Sequence, residues 1–144
     1  TLSTFRYRPK AFRSAKGNHF FWVLRLVVRF IDAEHSKNHL SFETLSKLEP
    51  NISEPMLRLY LNGMSNIELI QSDNHDCWWL EKSLKDVTLK HLHQGMDLRI
   101  PMDVKALPIH GDHVDERILP IIEMLSNTLA EPLDRPLSSC FTHV

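Results

Sequence analysis

Apolar residues recur every three or four positions between Asn18 and His35, at Phe20, Phe21, Leu24, Val27, Val28 and Ile31, which predicts an amphipathic helix capped by Asn18. Lys37 and Asn38 begin the turn that ends it. After an extended touch at His39 and Leu40, Ser41 caps a second helix that carries Phe42, Leu45 and Leu48 on one face as far as Pro50. Ser53 caps a third helix, with Pro55 in its permissive first turn and Met56, Leu57, Tyr60, Leu61 and Met64 as the apolar stripe. Gly63 weakens its end. At Ile67, Leu69 and Ile70 the helical spacing lapses. Ser72 to Asp76 then supply turn chemistry, and Cys77, Trp78, Trp79 and Leu80 resume as a second strand, so this segment predicts a β-hairpin.

Further along, a fourth helix starts near Thr88 and runs through Leu89, Leu92 and His93 to Gly95, a suitable stop residue. Residues 97 to 112 hold Pro101, Pro108 and Gly111 and read as a connector. Helical spacing returns from His113 to Ala130, with Asp112, Asp115 and Glu116 at the positive end of the helix dipole and Pro120 as an expected kink. Asp134 is placed to cap one last turn in the tail. Three helices followed by a two-stranded hairpin is the order of a winged helix-turn-helix. The chain therefore reads as mainly α with a small β-hairpin. Its parts are a basic arm at 1–16, a winged-helix core at 17–95, an extended connector at 96–112, and C-terminal helices packing on the core at 113–144.

With 144 residues, 42% apolar and 24% charged, the chain is long enough for one domain that buries about 68% of its unfolded surface. The low Gly and Pro content and the absence of a repeat exclude a fibrous or wholly disordered chain. Cys77 and Cys140 form no C-x-x-C pair and are too few for a disulfide scaffold, which favours a reducing compartment and two buried thiols. The net charge of −1 conceals an asymmetry. Residues 1–29 hold Arg6, Arg8, Lys10, Arg13, Lys16, Arg25 and Arg29 and no acid, giving +7, whereas the remainder sets 10 bases against 18 acids, giving −8. A basic leader on an acidic body points to an anionic partner, either nucleic acid or the cytoplasmic leaflet of a membrane. The longest apolar-rich run, Phe20 to Ile31, is interrupted by Arg25 and Arg29 and falls short of the roughly 20 residues a spanning helix needs. It has no signal-peptide pattern. Because the first residue is Thr, the sequence reads as a fragment excised from a longer chain.

Residues 41 to 92 carry SFETLSKL, then SEPMLRLYLNGM, the hairpin IELIQSDNHDCWWLEKSL and the closing DVTLKHL. This succession resembles the cytoplasmic C-terminal domain of the YihY/BrkB family of bacterial inner-membrane proteins. In that family a tryptophan strand is followed by a leu-x-x-val-thr-leu segment; here Trp78, Trp79 and Leu80 are followed by Leu84, Val87, Thr88 and Leu89. The resemblance extends over roughly residues 18 to 137, through Leu98 and Pro101, the acidic stretch near Asp112, and the final helix ending in Ala130, Glu131, Pro132 and Leu133. It implies that several transmembrane helices precede Thr1 in the intact protein and that the basic arm is juxtamembrane, as the positive-inside rule requires. The family has carried the name ribonuclease BN, tied to tRNA processing; no nuclease motif occurs in this chain.

Sharper chemistry can be weighed residue by residue. A DNA-reading third helix would use Arg58 and Asn62, one turn apart, but the helix holds only one other charge, Glu54, and the hairpin turn is acidic through Asp73 and Asp76. Histidines cluster as His91-x-His93 and His110-x-x-His113 around Asp112. On a helix, His91 and His93 lie about 200° apart and cannot share one ion, and the second cluster reads as a surface turn. Asp73, His75 and Asp76 are the densest catalytic candidate, in a turn that favours Asp and Asn for conformational reasons alone. No P-loop, dinucleotide fingerprint, nucleophile elbow or H-E-x-x-H is present. Phe20, Phe21 and Trp22 form one aromatic feature; the other is the pair Trp78 and Trp79, of which strand alternation turns one inward and offers the other as a partner anchor.

The expected role is thus a non-catalytic interaction or regulatory domain at the cytoplasmic face of the bacterial inner membrane, needing no cofactor or metal. Arg6, Arg8, Lys10, Arg13 and Lys16 would contact anionic lipid, at about 1 kcal/mol per charge at best. Its partners would be its own transmembrane region, the membrane surface and a protein, with DNA or RNA not expected. The competing expectations are a winged-helix transcription regulator and a tRNA-processing ribonuclease.

Overall fold

The computed structural model describes residues 18–81 and 83–141. Helix α1 (Asn18–His35) leads into strand β1 (Leu40–Ser41) and helices α2 (Phe42–Leu48) and α3 (Glu54–Asn66). Strands β2 (Ile70–Ser72) and β3 (Cys77–Leu80) follow, then a 3-10 turn at Leu84–Asp86 and α4 (Leu89–Gly95). A second 3-10 turn at Val104–Ala106 precedes α5 (His113–Leu133) and the one-turn α6 (Leu137–Cys140). The fold is mainly helical with a small antiparallel sheet, as the hydrophobic spacing predicts.

Strand β3 is central in the sheet order β1-β3-β2. Leu40 pairs with Trp78 and Ser41 with Cys77 on one side; Ile70 pairs with Leu80, Gln71 with Trp79 and Ser72 with Trp78 on the other. The sheet thus has three strands where the sequence predicts two. Two residues carry no alternation of their own, and only pairing with β3 makes β1 a strand. Helix α1 packs against both α5 and β3, which explains a second departure. Val23, Leu26 and Phe30 are fully buried with Phe20, Phe21, Leu24 and Val28, while Val27 and Ile31 are only half-buried. A helix covered on two sides buries most of its circumference rather than one stripe.

Polar caps fix the helix starts. The Ser41 side chain accepts from Thr44 N–H, Ser53 from Met56 N–H, Thr88 from His91 N–H, and Asp112 from Asp115 N–H. Pro136 stands at the start of α6 without a side-chain cap, and Asp134 instead ends α5, which runs past Ala130 to Leu133. α4 ends at Gly95 as expected, but the glycine does not make the turn beyond it. Asp97 takes the left-handed turn conformation at φ 53, and Leu98 N–H returns to His93 C=O. Gly95 is small for another reason: a Cβ there would lie 2.6 Å from Ile67 Cγ2. From α4 the chain crosses the core surface, burying Met96, Leu98 and Leu107. Residues 131–141 are all exposed, and the two thiols are not core groups, since Cys77 is half-buried and Cys140 exposed.

Gly95→Ala is expected to destabilise the fold by about 1 kcal/mol, because the new methyl crowds the half-buried Ile67 side chain. In urea denaturation the loss should shrink when Ile67→Ala is added, because the clashing methyl is then gone.

Candidate functional site

The most concentrated polar chemistry lies inside the domain. Arg25 projects from the middle of α1 and is 1% exposed. Its Nε donates to Glu49 Oε1 at 2.6 Å and Nη2 donates to Glu49 Oε2 at 3.0 Å, just beyond the end of α2. Nη1 donates to Asp112 Oδ1 at 3.0 Å and to Asp115 Oδ1 at 2.7 Å, and Nη2 donates to Asp112 Oδ2 at 2.7 Å. All five guanidinium N–H groups are thereby used. Arg29, one turn later, donates to Glu49 Oε2 at 2.8 Å and to the Leu48 carbonyl. Asp115 Oδ2 in turn accepts the backbone N–H groups of His110 and Gly111. Among the described residues no buried side-chain nitrogen or oxygen lacks a partner.

Three carboxylates face two guanidinium groups in this hub. Burial works against the Arg25 charge, but the hydrogen bonds it donates to Asp112 and Glu49 outweigh it and raise its pKa. The hydrogen bond from Arg25 holds the Asp112 carboxyl well below the usual carboxylate range. With all five Arg25 donors taken, the hub binds the fold to itself. Arg25 and Arg29 therefore leave the basic leader, whose remaining bases Arg6, Arg8, Lys10, Arg13 and Lys16 lie outside the described residues. A second ion group, Asp32 with Arg117 and His113, links α1 to α5 nearer the surface.

The face of α3 and the hairpin is also self-engaged. Arg58 donates to both oxygens of Asp76, and its guanidinium lies 3.7 Å above the Phe42 ring. Asp76 accepts the Trp78 indole N–H at 3.0 Å as well, and its backbone carbonyl accepts Phe42 N–H. Asp76 holds φ 59, a conformation Asp adopts more readily than most residues. The pairing raises the Arg58 pKa and lowers that of Asp76. Arg58 is thus committed, and Asn62 stands exposed one turn further on. Asp73 accepts the backbone N–H groups of His75 and Cys77, which folds the turn and lowers its own pKa.

The histidines diverge to separate partners. His91 closes a capping box with Thr88, and His93 Nδ1 bonds to the Leu98 carbonyl. His110 bonds to Asn51, whereas His113 faces Asp32. Among the described residues no three His, Cys, Asp or Glu side chains are grouped to hold a metal ion. Trp78 lies in the core, so only Trp79 of the pair reaches the surface. It stacks on His39 at 4.0 Å beside a cleft of about 280 Å³ that Phe30, Glu34 and Lys37 also line. Its cover comes from the loop between α1 and β1. Inside the domain, His19 bonds to the buried Tyr60 hydroxyl, whose pKa burial pushes up.

The charged groups described above are engaged with one another within the fold. The chain is similar over its full length to UPF0761 membrane proteins. It is 29% identical over 144 residues to one from Xanthomonas campestris, covering all of this chain and 34% of that protein. Identity to relatives from Xanthomonas axonopodis and Xanthomonas oryzae is 28% and 27%, over the same shares. The chain therefore spans about a third of the length of the curated relatives it matches. No family model matches the chain, and no solved structure matches it. Among the described residues no helix is long and apolar enough to cross a membrane.

Arg25→Met is expected to cost about 3–5 kcal/mol in chemical denaturation, because it strands buried carboxylates. The pH dependence should separate the two proteins. The depressed Asp112 stabilises the native chain above its unfolded pKa of about 4 and loses that contribution as pH falls towards the folded value. Stability of the native chain should therefore decline below about pH 4. In Arg25→Met the stranded carboxylates favour protonation, so stability should rise between about pH 6 and pH 4. Denaturation midpoints from about pH 6 to well below pH 4 test both slopes.

Proposed function

We propose that the chain is a non-catalytic interaction or regulatory domain of a multi-spanning bacterial inner-membrane protein, a winged-helix module held at the cytoplasmic face by residues 1–16. One observation carries the proposal. The whole chain matches membrane proteins of which it covers only 34%, while none of its described helices can cross a bilayer. The membrane-spanning part of such a protein then lies outside this region, and the module is its water-exposed share. Five bases without an acid in residues 1–16 support the cytoplasmic side, where the positive-inside rule expects such an excess. The element order α1-β1-α2-α3-β2-β3, with β3 central, supports the winged-helix assignment.

The competing readings draw little from the geometry. A transcription regulator would need Arg58 for phosphate or base contacts, and Arg58 is paired with Asp76 across an acidic turn. A ribonuclease using Asp73 and Asp76 would have to employ two carboxylates already engaged in turn formation and in that ion pair.

Fractionation of the source cells with an antibody against this domain is expected to show a band much heavier than 16.8 kDa that pellets with membranes and needs detergent for release. A soluble band near that mass would overturn the membrane-module reading and favour DNA binding.

A further inference from the structure

We infer that the cleft beside Trp79 is an interaction surface for a second copy of this chain, and that it takes the C-terminal segment of that copy with the Phe141 ring laid against Trp79. The cleft lies where the sheet stops short. Phe42 N–H bonds to Asp76 C=O, and Leu40 pairs with Trp78 in the same register, so the backbone groups of Asp76, Trp78 and Leu80 point to the β1 side of β3. Strand β1 begins at Leu40. Asn38, which would stand opposite Leu80, turns its N–H back to the Ala33 carbonyl in the last turn of α1. On that side the N–H and C=O of Leu80 have no strand partner, and Leu80 and Asn38 both line the cleft.

Charge and conformation decide the occupant. An open strand edge is answered by an extended peptide. The walls are apolar through Phe30, Trp79 and Leu80, while Glu34 and Lys37 bring one charge of each sign. At about 280 Å³ the cleft has room for one large uncharged side chain with its backbone. The C-terminal segment supplies it. Pro136 to Phe141 contains no charged residue, and every residue from 131 to 141 is exposed. Among the described residues Phe141 is the one large aromatic side chain that is exposed, at 59%, and its backbone is already extended, at φ −111 and ψ 127. Standing off its own domain, the segment is open to a neighbour, and reciprocal exchange of two such segments closes a two-fold dimer. The inference gives the proposed interaction role a partner without calling on a membrane, so solution measurements test it separately from the fractionation that tests the membrane-module reading.

The test is sedimentation velocity of the full chain over a wide range of concentrations, where the native chain should associate reversibly to a dimer. Phe141→Ser and Trp79→Ser should each weaken association about tenfold. Met124→Ser, at another exposed apolar side chain, on α5, should leave it unchanged. An equimolar mixture of Phe141→Ser and Trp79→Ser should associate more strongly than either alone, because the mixed dimer keeps one intact tail and one intact cleft. Circular dichroism melting checks that the variants fold; Phe141 is exposed, so its comparison with the native chain decides the matter even where Trp79→Ser unfolds. A native chain that stays monomeric, or a dimer that Phe141→Ser leaves unaltered, would overturn the inference. No gain on mixing the two folded variants would overturn it as well.

Discussion

A guanidinium buried in the middle of a helix must find its counter-charges where it stands, and the rest of this fold is arranged around that requirement. Arg25 draws together three stretches of chain far apart in sequence: the middle of α1, the exit of α2 at Glu49, and the start of α5 at Asp112 and Asp115. A well-packed apolar replacement for a buried ion group is often as stable. What the hub adds is registry, since five directional donors accept only one placement of those carboxylates. Asp112 serves twice, as a ligand of Arg25 and as the cap of α5, so the helix starts where the ion group needs it.

Much of the architecture was legible from spacing and caps. Ser41, Ser53 and Thr88 begin helices because a β-region residue with a side-chain oxygen can satisfy the free N–H groups of the first turn, a local fact that sequence records directly. Partners distant in sequence were not legible. The extended touch read at His39 and Leu40 becomes a strand at Leu40–Ser41 only because Trp78 and Cys77 lie beside it. Arg25 looked like a basic residue of the leader because its counter-ions lie 24, 87 and 90 positions downstream. One signal was present: an arginine enclosed by Leu24, Leu26 and Val28 on an otherwise apolar helix is costly to bury and therefore requires acids elsewhere. Gly95 misled for a related reason, since its smallness serves a close approach to Ile67 and not a turn.

The surface shows the same economy of charge. Arg58 is bound by Asp76 and shielded by Phe42, joining α2, α3 and the hairpin at one point. Asp76 thereby does structural work that a phosphate-binding wing would leave to bases. The α3 face accordingly presents Arg58 already paired, with Asn62 and Asn66 exposed beside it.

The hub also bears on where this domain can be divided. By order of elements, a winged-helix core would close at Gly95 and the remainder would be an appendix. A chain ending there would leave Arg25 with Glu49 alone, shared with Arg29, and without the carboxylates that take three of its five N–H groups. The connector and the first turn of α5 are therefore part of the smallest unit that can fold. Unfolding of α5 and of the helices near the sheet becomes a single event, because neither half can neutralise Arg25 without the other.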